Sequence, residues 1–527
     1  MTEPAPTWPV IVVGAGPTGL VAALLLARYG IACTVLDRQH RPWPLPRAVH
    51  LDDEAVRVLQ LAGVGDAFAA ISRPAAGLRL LDARLRPFAT FRRAPGPAGH
   101  GHPASNLFDQ PELDALLRRA ATRAGVELRA GLEVTGVADG ADGTVTVTAR
   151  DVATGREETL AAAAVLGCDG AASTVRGAIG GVLRDLGFHQ RWLVLDVRCR
   201  SVRGGWDGVD QICDRRRAAT FLHLTGDRYR WEFQLHPGES AAELARPDSV
   251  AALTAPWFSG APDEQLQLLR CAEYTFRAQV ADRWRAGRVL LLGDAAHLMP
   301  PFVGQGLGAG LRDAHNLAWK LAAVLRGRAG DELLDSYQAE REPHATAVIR
   351  TAVRVGRAMT GGNGVVAALR RPLAAALLRL PGAERRALAA TTTRYPPGVR
   401  VDRRRHRRDL PGTTCPQPFV RCVDAIVRLD DVLGAGFALL HTGPVPPALR
   451  ARADALSARR IRMGTPLPDD DADATIADDR TLTAWLRRGR AGAVLLRPDR
   501  VVMSSAGVAG QPAWSVNQDG RGERGGG

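Results

Sequence analysis

The chain has 527 residues, 46% of them hydrophobic, and a formal net charge of +14, a size that buries a large core and predicts two or three domains. Its positive charge is spread along the chain as arginine, with Lys320 the single lysine, which argues against a dedicated nucleic-acid surface. Seven scattered cysteines without a CxxC pair argue against a disulfide framework and a structural zinc, and point to a reducing cytoplasm.

In chain order, Glu3 and three early prolines do not form a signal-peptide pattern, and the apolar run Leu20 to Ala27 is too short to span a bilayer. Val10 to Gly30 reads VIVVGAGPTGLVAALLLARYG, an apolar strand, three glycines and an alanine-leucine helix. Gly14 suits the turn, Gly16 a close approach of backbone to a pyrophosphate, and Gly19 tight packing of helix on strand. The next strand, Cys33 to Leu36, ends in Asp37 at the distance expected of an acid on a ribose, which predicts a dinucleotide site. Arg38 and Arg47 follow around a loop at Pro42 to Pro46, and Asp52 to Leu59 opens a helix. Both arginines suit either a solvated surface or the neighbourhood of a cofactor. Gln110, beside Pro111 at a helix start, is either a cap residue or a contact for a cofactor chain.

Val126 to Leu160 alternates in short strands, predicting a small antiparallel insertion, before a buried strand at Ala164 to Gly167 ends in Asp169-Gly170. Ser173 and Arg176 follow at helical spacing, a second place where phosphate could be held. From Trp192 to Phe276 alternation dominates and predicts a sheet roofing a pocket. In YRWEFQL, Trp231 and Phe233 share one face and Arg230, Glu232 and Gln234 the other; alternation leaves open which faces inward. His223 is either a packed histidine or a catalytic base.

The run GRVLLLGDAAHLMPPFVGQGLGAGLRDAHNLAWKLAAVL, Gly287 to Leu325, organises the rest. A buried strand leads to Gly293 and Asp294, an acid suited to sugar hydroxyls, then a proline and glycine turn, then from about Gly308 a helix whose N-terminus faces the turn. A helical region is expected to about Ala390. A basic segment rich in glycine and proline marks a boundary, with Arg403 to Arg408 read as a solvated linker. Beyond it lies a small α/β domain whose Cys415 and Cys422 precede its core. Ser504 to Gly527 is expected to be disordered at its end.

Three separated pieces, GAGPTG with Asp37, CDGAASTVR with Asp169, and GDAAHLMPPFVGQGLGAGLRDAHNLAWKL with Asp294, resemble the fingerprints of the single-component flavoprotein aromatic hydroxylases. RAVHLDDEAVR and YRWEFQLHPGE look closest to the 3-(3-hydroxyphenyl)propionate hydroxylase branch. RLDDVLGAGFALL and AVLLRPD resemble the thioredoxin-like C-terminal domain of many members. The resemblance implies an α/β fold: a Rossmann-like FAD-binding domain (1–185 and 279–395) with an inserted substrate-binding sheet (186–278), a linker (396–412), a thioredoxin-like domain (413–510) and a tail (511–527). It implies Gly14, Gly16 and Gly19 on the FAD pyrophosphate, Asp37 on the adenosine ribose, Asp169 with Arg176 serving FAD and NAD(P)H, and Arg38, Arg47 and Gln110 near the cofactor. Gly293 and Asp294 would meet the ribityl side, Gly304, Gln305, Gly306, Leu307 and Gly308 would wrap the isoalloxazine, and Pro300 and Pro301 would bring backbone beside the substrate.

The implied activity is hydroxylation of a phenolic substrate through a flavin C4a-hydroperoxide, consuming NADPH or NADH and O2, with no metal. No nucleic-acid partner is expected, and assembly as a homodimer is left open. Baeyer-Villiger insertion, epoxidation or another oxidation of an aromatic polyketide is the rival within the scaffold. A non-catalytic flavin-binding protein is the rival outside it.

Overall fold

Strand Val10–Val13 is buried along its whole length. A strand buried on both faces needs apolar, β-branched residues, which VIVV supplies. In the computed structural model it lies inside a six-stranded sheet, flanked in parallel by Ala164–Gly167 and Cys33–Asp37. Val289–Leu291 and Glu127–Ala130 extend the sheet on either side. The structure describes residues 8–507 apart from 42–46, 95, 141–142, 201, 203–205, 215, 259–265, 361–391, 404–405, 407, 424, 466–470 and 479. The proline loop expected at 42–46, most of the helical region expected beyond 360 and the expected disordered tail therefore lie outside the described residues.

Helix Pro17–Arg28 packs on helix Gly306–Leu325, joining the first fingerprint to the last. The antiparallel insertion forms from Leu132–Asp139, Val145–Asp151 and Glu157–Ala162. Among the described residues no helix is long and apolar enough to cross a membrane.

The roofing sheet has eight strands, from His297–Leu298 through Leu266–Ala281, Leu183–Cys199, Arg228–Gln234, Ala219–His223 and Val209–Ile212 to Gly77–Leu81 and Pro87–Arg92. The last two come from the first hundred residues, where no local signal announced them. Gly77–Leu81 joins by parallel pairing with Val209–Ile212. One face buries Trp231, Phe233 and Phe221 against Trp257, Phe258 and Val250. That burial settles the open choice in YRWEFQL: the aromatic face packs outward, and Arg230 and Glu232 face a cavity.

The chain divides into residues 1–396 and 397–527. The second unit carries a seven-stranded sheet whose central strands include Ala438–His441 and Arg459–Met463. Two sequence expectations change here. Cys415, expected ahead of the core, is fully buried within it, and Cys422 packs against it. Leu410, inside the 396–412 stretch expected as a linker but past its solvated run Arg403 to Arg408, is buried in the same cluster because its apolar side chain has core to cover it. The AVLLRPD motif is an internal staple: Arg497 Nε donates to Asp499 Oδ1 at 2.9 Å, and Arg500 Nε lies 2.8 Å from Asp430 Oδ1, all four residues buried.

Candidate functional site

A cavity of about 1710 Å³ in the first unit gathers the ends of the Rossmann strands, the turn before helix Gly306–Leu325 and the inner face of the eight-stranded sheet. Gly14 adopts φ +105°, a conformation that costs a residue with a side chain, and a Cβ there would strike the carbonyl of Cys168. Gly19 sits behind the loop, where a Cβ would strike the carbonyl of Gly14. A Cβ on Gly16 would meet nothing within 4 Å, so the loop is close-packed behind and open over the helix N-terminus. Asp37 lines the cavity beside Arg38, its Oδ2 accepting from the Ala15 N–H at 2.7 Å and its Oδ1 from the Gln39 N–H at 2.7 Å.

Asp294 faces the same cavity, 3.6 Å from Arg47 Nη1. The protein walls deprive its carboxyl of hydration and raise its pKa, while Arg47 opposes that rise. Gln110 accepts through Oε1 from the N–H groups of Arg47 (2.8 Å) and Ala48 (2.9 Å), fixing the backbone that carries Arg47. Gly304, at φ +63°, accepts at its carbonyl from or faces His50 Nδ1 at 3.0 Å, and a Cβ there would lie 2.7 Å from that nitrogen. Gln305, Gly306 and Leu307 then line the cavity at the start of the helix, whose N-cap makes no side-chain cap bond. First-turn N–H groups are thus available to an anionic ligand. Pro301 and Phe302 form the adjoining wall. Asp294→Ala is expected to lose bound flavin on gel filtration; a variant that stays yellow would remove Asp294 from the site.

The remaining expected site residues divide between those that line the cavity and those that do not. Asp169 lines the cavity, but its carboxylate accepts from Ser173 Oγ at 2.6 Å and the Val175 N–H at 3.1 Å, holding the short helix Thr174–Ala178. Arg176 is turned away and donates to the carbonyls of Ala295 (3.0 Å) and Ala171 (2.9 Å). Gly293 lines the wall, whereas Pro300 and Gly308 lie behind it. His223 is not brought to the cavity. It stacks on Tyr229, and its Nε2 lies 2.8 Å from the Gly226 carbonyl, as the strand end curls into a turn. His223 therefore has no part in the function proposed below.

What residue patterns did not announce is the buried ionic frame beneath the helix. Arg312 donates to Asp52 Oδ2 (2.6 Å) and Glu54 Oε2 (2.8 Å), and Gln305 Nε2 donates to Asp52 Oδ2 at 2.9 Å. Burial pushes Glu54 up, but Arg312 overrides it and holds the carboxyl well below its usual range. The RDA tripeptide inside an apolar helix was the available signal. Charges there need partners.

Asp114 is a different case. Its carboxyl is buried beside Arg118 and Gln110, with Oδ1 unpartnered, and burial pushes its pKa up to about 7. With a native pKa above the unfolded value, the native chain holds the extra proton, so stability falls as pH rises from about 4 through about 7 and the penalty is complete above that. Asp114→Asn is expected to raise Tm more at pH 8 than at pH 5; an equal change at both would show the carboxyl ionises normally.

The donor set fits FAD: an open glycine cradle over a helix end, carboxylates at two strand ends, and unspent N–H groups beside an apolar wall. A family model described as an FAD binding domain matches residues 7–352. This chain belongs to the FAD-dependent aromatic hydroxylase family. It is an FAD-dependent monooxygenase. Among its flavoprotein relatives, a 3-(3-hydroxy-phenyl)propionate/3-hydroxycinnamic acid hydroxylase of Mycolicibacterium smegmatis is 37% identical over 94% of this chain and 89% of its own. A hydroxylase of the same name from Burkholderia vietnamiensis is 36% identical over 96% of this chain and 95% of its own. Solved flavoprotein structures of similar fold include aklavinone-11 hydroxylase with FAD and aklavinone (TM-score 0.77, 25% identity, 96% of each chain). Anhydrotetracycline hydroxylase OxyS from Streptomyces rimosus has TM-score 0.74 and 28% identity over 95% of this chain and 96% of its own. Residues 412–516 match the HcaD C-terminal domain.

Proposed function

We propose that this flavoprotein hydroxylates a phenolic acid of the 3-(3-hydroxyphenyl)propionate type. One oxygen atom of O2 enters the ring, the other leaves as water, and NADH or NADPH is oxidised. The observation that carries the reading is the meeting, in one cavity, of a glycine cradle, Asp294 and an uncapped helix N-terminus with the inner face of a large sheet. Relatives named for 3-(3-hydroxyphenyl)propionate at 36–37% identity favour that substrate class.

Bound FAD supplies the hydride acceptance and oxygen activation. The loop at Gly14 and Gly16 would hold its pyrophosphate, Asp37 a ribose and Asp294 the ribityl chain, with Arg47 close to Asp294. The N–H groups at Gly306 and Leu307, at the uncapped start of the helix, would hold an anionic part of the flavin. Phe302, packed edge-on against Trp192 and Phe188 at ring separations of 5.6 and 5.7 Å, seals the adjoining wall against water. Seven free cysteines suit a cytoplasmic setting.

A second reading, oxidation of a polycyclic aromatic, is favoured by the likeness to aklavinone-11 hydroxylase and anhydrotetracycline hydroxylase. Simple phenolic acids and polycyclic phenols, compared for stimulated NAD(P)H consumption with product mass, separate the two. Turnover of the phenolic acids is expected; turnover confined to polycyclic phenols would replace the first reading by the second.

A further inference from the structure

One row of residues runs straight across the inner face of the eight-stranded sheet. Leu80 pairs with Gln211, Gln211 with Thr220, Thr220 with Glu232, Glu232 with Val194 and Val194 with Ala272, and all six line the cavity. The ends of the row are apolar and its middle is polar. Cross-strand neighbours in register bring their side chains within contact of one another.

The polar middle has unmet capacity. Glu232 is 8% exposed, and its carboxylate meets Arg230 Nη1 only at 4.0 Å, beyond hydrogen-bond reach. Arg230 is committed to Asp196, with Nε donating to Oδ1 at 2.6 Å, and Arg270 Nη2 lies 3.2 Å from the other oxygen of that aspartate. Gln211 is 3% exposed; its Nε2 donates to the Phe302 carbonyl at 3.1 Å, but its Oε1 has no partner. Tyr274, two residues beyond Ala272 on the same face, has a buried hydroxyl without a partner. Buried polar atoms are nearly always satisfied, so two unpartnered atoms on one face, with the Glu232 carboxyl on a strand between them, point to a ligand.

A carboxylate and an amide oxygen accept hydrogen bonds, and a tyrosine hydroxyl donates and accepts. Their complement is a group that both donates and accepts, which describes a hydroxyl and excludes a second carboxylate. The bond from Gln211 to the Phe302 carbonyl ties this point to the turn at Pro301–Val303, beside the loop assigned to the flavin. We propose that Glu232 and Tyr274, two strands apart on this face, form the subsite that takes the substrate's ring hydroxyl and selects phenols over their ethers, with Gln211 bounding it on the side of the Phe302 turn. The acid group of the substrate then lies away from Glu232. This assignment rests on the reading of the chain as a hydroxylase of phenolic acids.

The test uses the full FAD-loaded chain and two probes, 3-(3-hydroxyphenyl)propanoate and its 3-methoxy ether, with binding read from perturbation of the flavin absorbance. Wild type is expected to prefer the phenol by about ten- to a hundred-fold, the range of a hydrogen bond to a charged acceptor. Glu232→Leu should bring the two affinities to within about threefold, since no charged acceptor remains. Tyr274→Phe removes a hydroxyl that bonds to nothing in the protein, so a merely structural role predicts no change; the assignment predicts a preference reduced about three- to tenfold. If Glu232→Leu fails to retain flavin, Tyr274→Phe decides. A full wild-type preference in both variants, or in Tyr274→Phe alone when the other is lost, overturns the subsite, as does a wild type without preference. NAD(P)H oxidation by wild type, stimulated by the phenol or not, separately judges the reading on which the subsite rests.

Discussion

A Gly14→Val chain is expected to purify without flavin. The strand Val10–Val13 and the strand Ala164–Gly167 run parallel in register, so their C-terminal ends arrive side by side, and the Gly14 turn lies against the Cys168 carbonyl. A valine there meets two penalties at once: a backbone at φ +105°, which costs a β-branched residue about 1–3 kcal/mol, and a clash with main chain that has no rotamer to yield. Main chain must move, and the loop N–H groups proposed to hold the pyrophosphate move with it. Flavin absorbance per mole of purified protein is the measurement, with far-UV circular dichroism as the check on folding. Wild-type flavin content in this variant would mean the loop does not hold the pyrophosphate.

The second large effect is predicted for Arg341→Ala. Arg341 is fully buried: Nε donates to Asp313 Oδ1 at 2.8 Å, Nη2 to the Ala309 carbonyl at 3.1 Å, and Nη1 lies 2.8 Å from His344 Nδ1. Asp313, equally buried, also accepts from the Gly293 N–H at 3.0 Å and lies 2.7 Å from His297 Nε2. Burial raises the Asp313 pKa, but His297 and Arg341 together hold it below its usual value. Loss of the guanidinium strands that carboxylate in the core, at a cost of about 3–5 kcal/mol. Because Asp313 anchors Gly293, the damage reaches the residue next to Asp294. A drop in Tm with loss of flavin is expected, against no measurable change for Arg150→Ala, whose pair with Glu133 lies at the surface. An Arg341→Ala chain as stable as wild type would show that Asp313 is neutralised in another way.

Much of the cofactor end was legible because its chemistry is local. A strand, a tight turn and a helix N-terminus occupy consecutive residues, so Gly14 and Asp37 could be read from spacing, while Asp294, which lines the same cavity, joined them through the resemblance. The substrate end was legible only as a sheet. Whether Glu232 or Trp231 faces the cavity depends on what covers the other face, and the cover, Trp257 and Phe258, lies some twenty-five residues further along. The strand Gly77–Leu81 joins the sheet by pairing with Val209–Ile212 across more than a hundred residues, which leaves no mark on either segment, and Pro87–Arg92 follows it in as the second arm of a hairpin. Arg176 and His223 show the converse limit. Residue type suggested phosphate binding and base catalysis, whereas local geometry commits Arg176 to two backbone carbonyls and places His223 beside Gly226.

The proposed reaction requires the cavity to hold FAD and a phenolic acid so that one atom of dioxygen reaches the ring. It is tested most directly by incubating the FAD-loaded protein with 3-(3-hydroxyphenyl)propanoate, NADH or NADPH, and isotopically labelled dioxygen, following reductant consumption together with product mass. The expected result is reductant oxidation stimulated by the phenol, with one labelled oxygen atom in each product molecule. Consumption without labelled product, or no stimulation by phenolic acids or polycyclic phenols, would contradict the account.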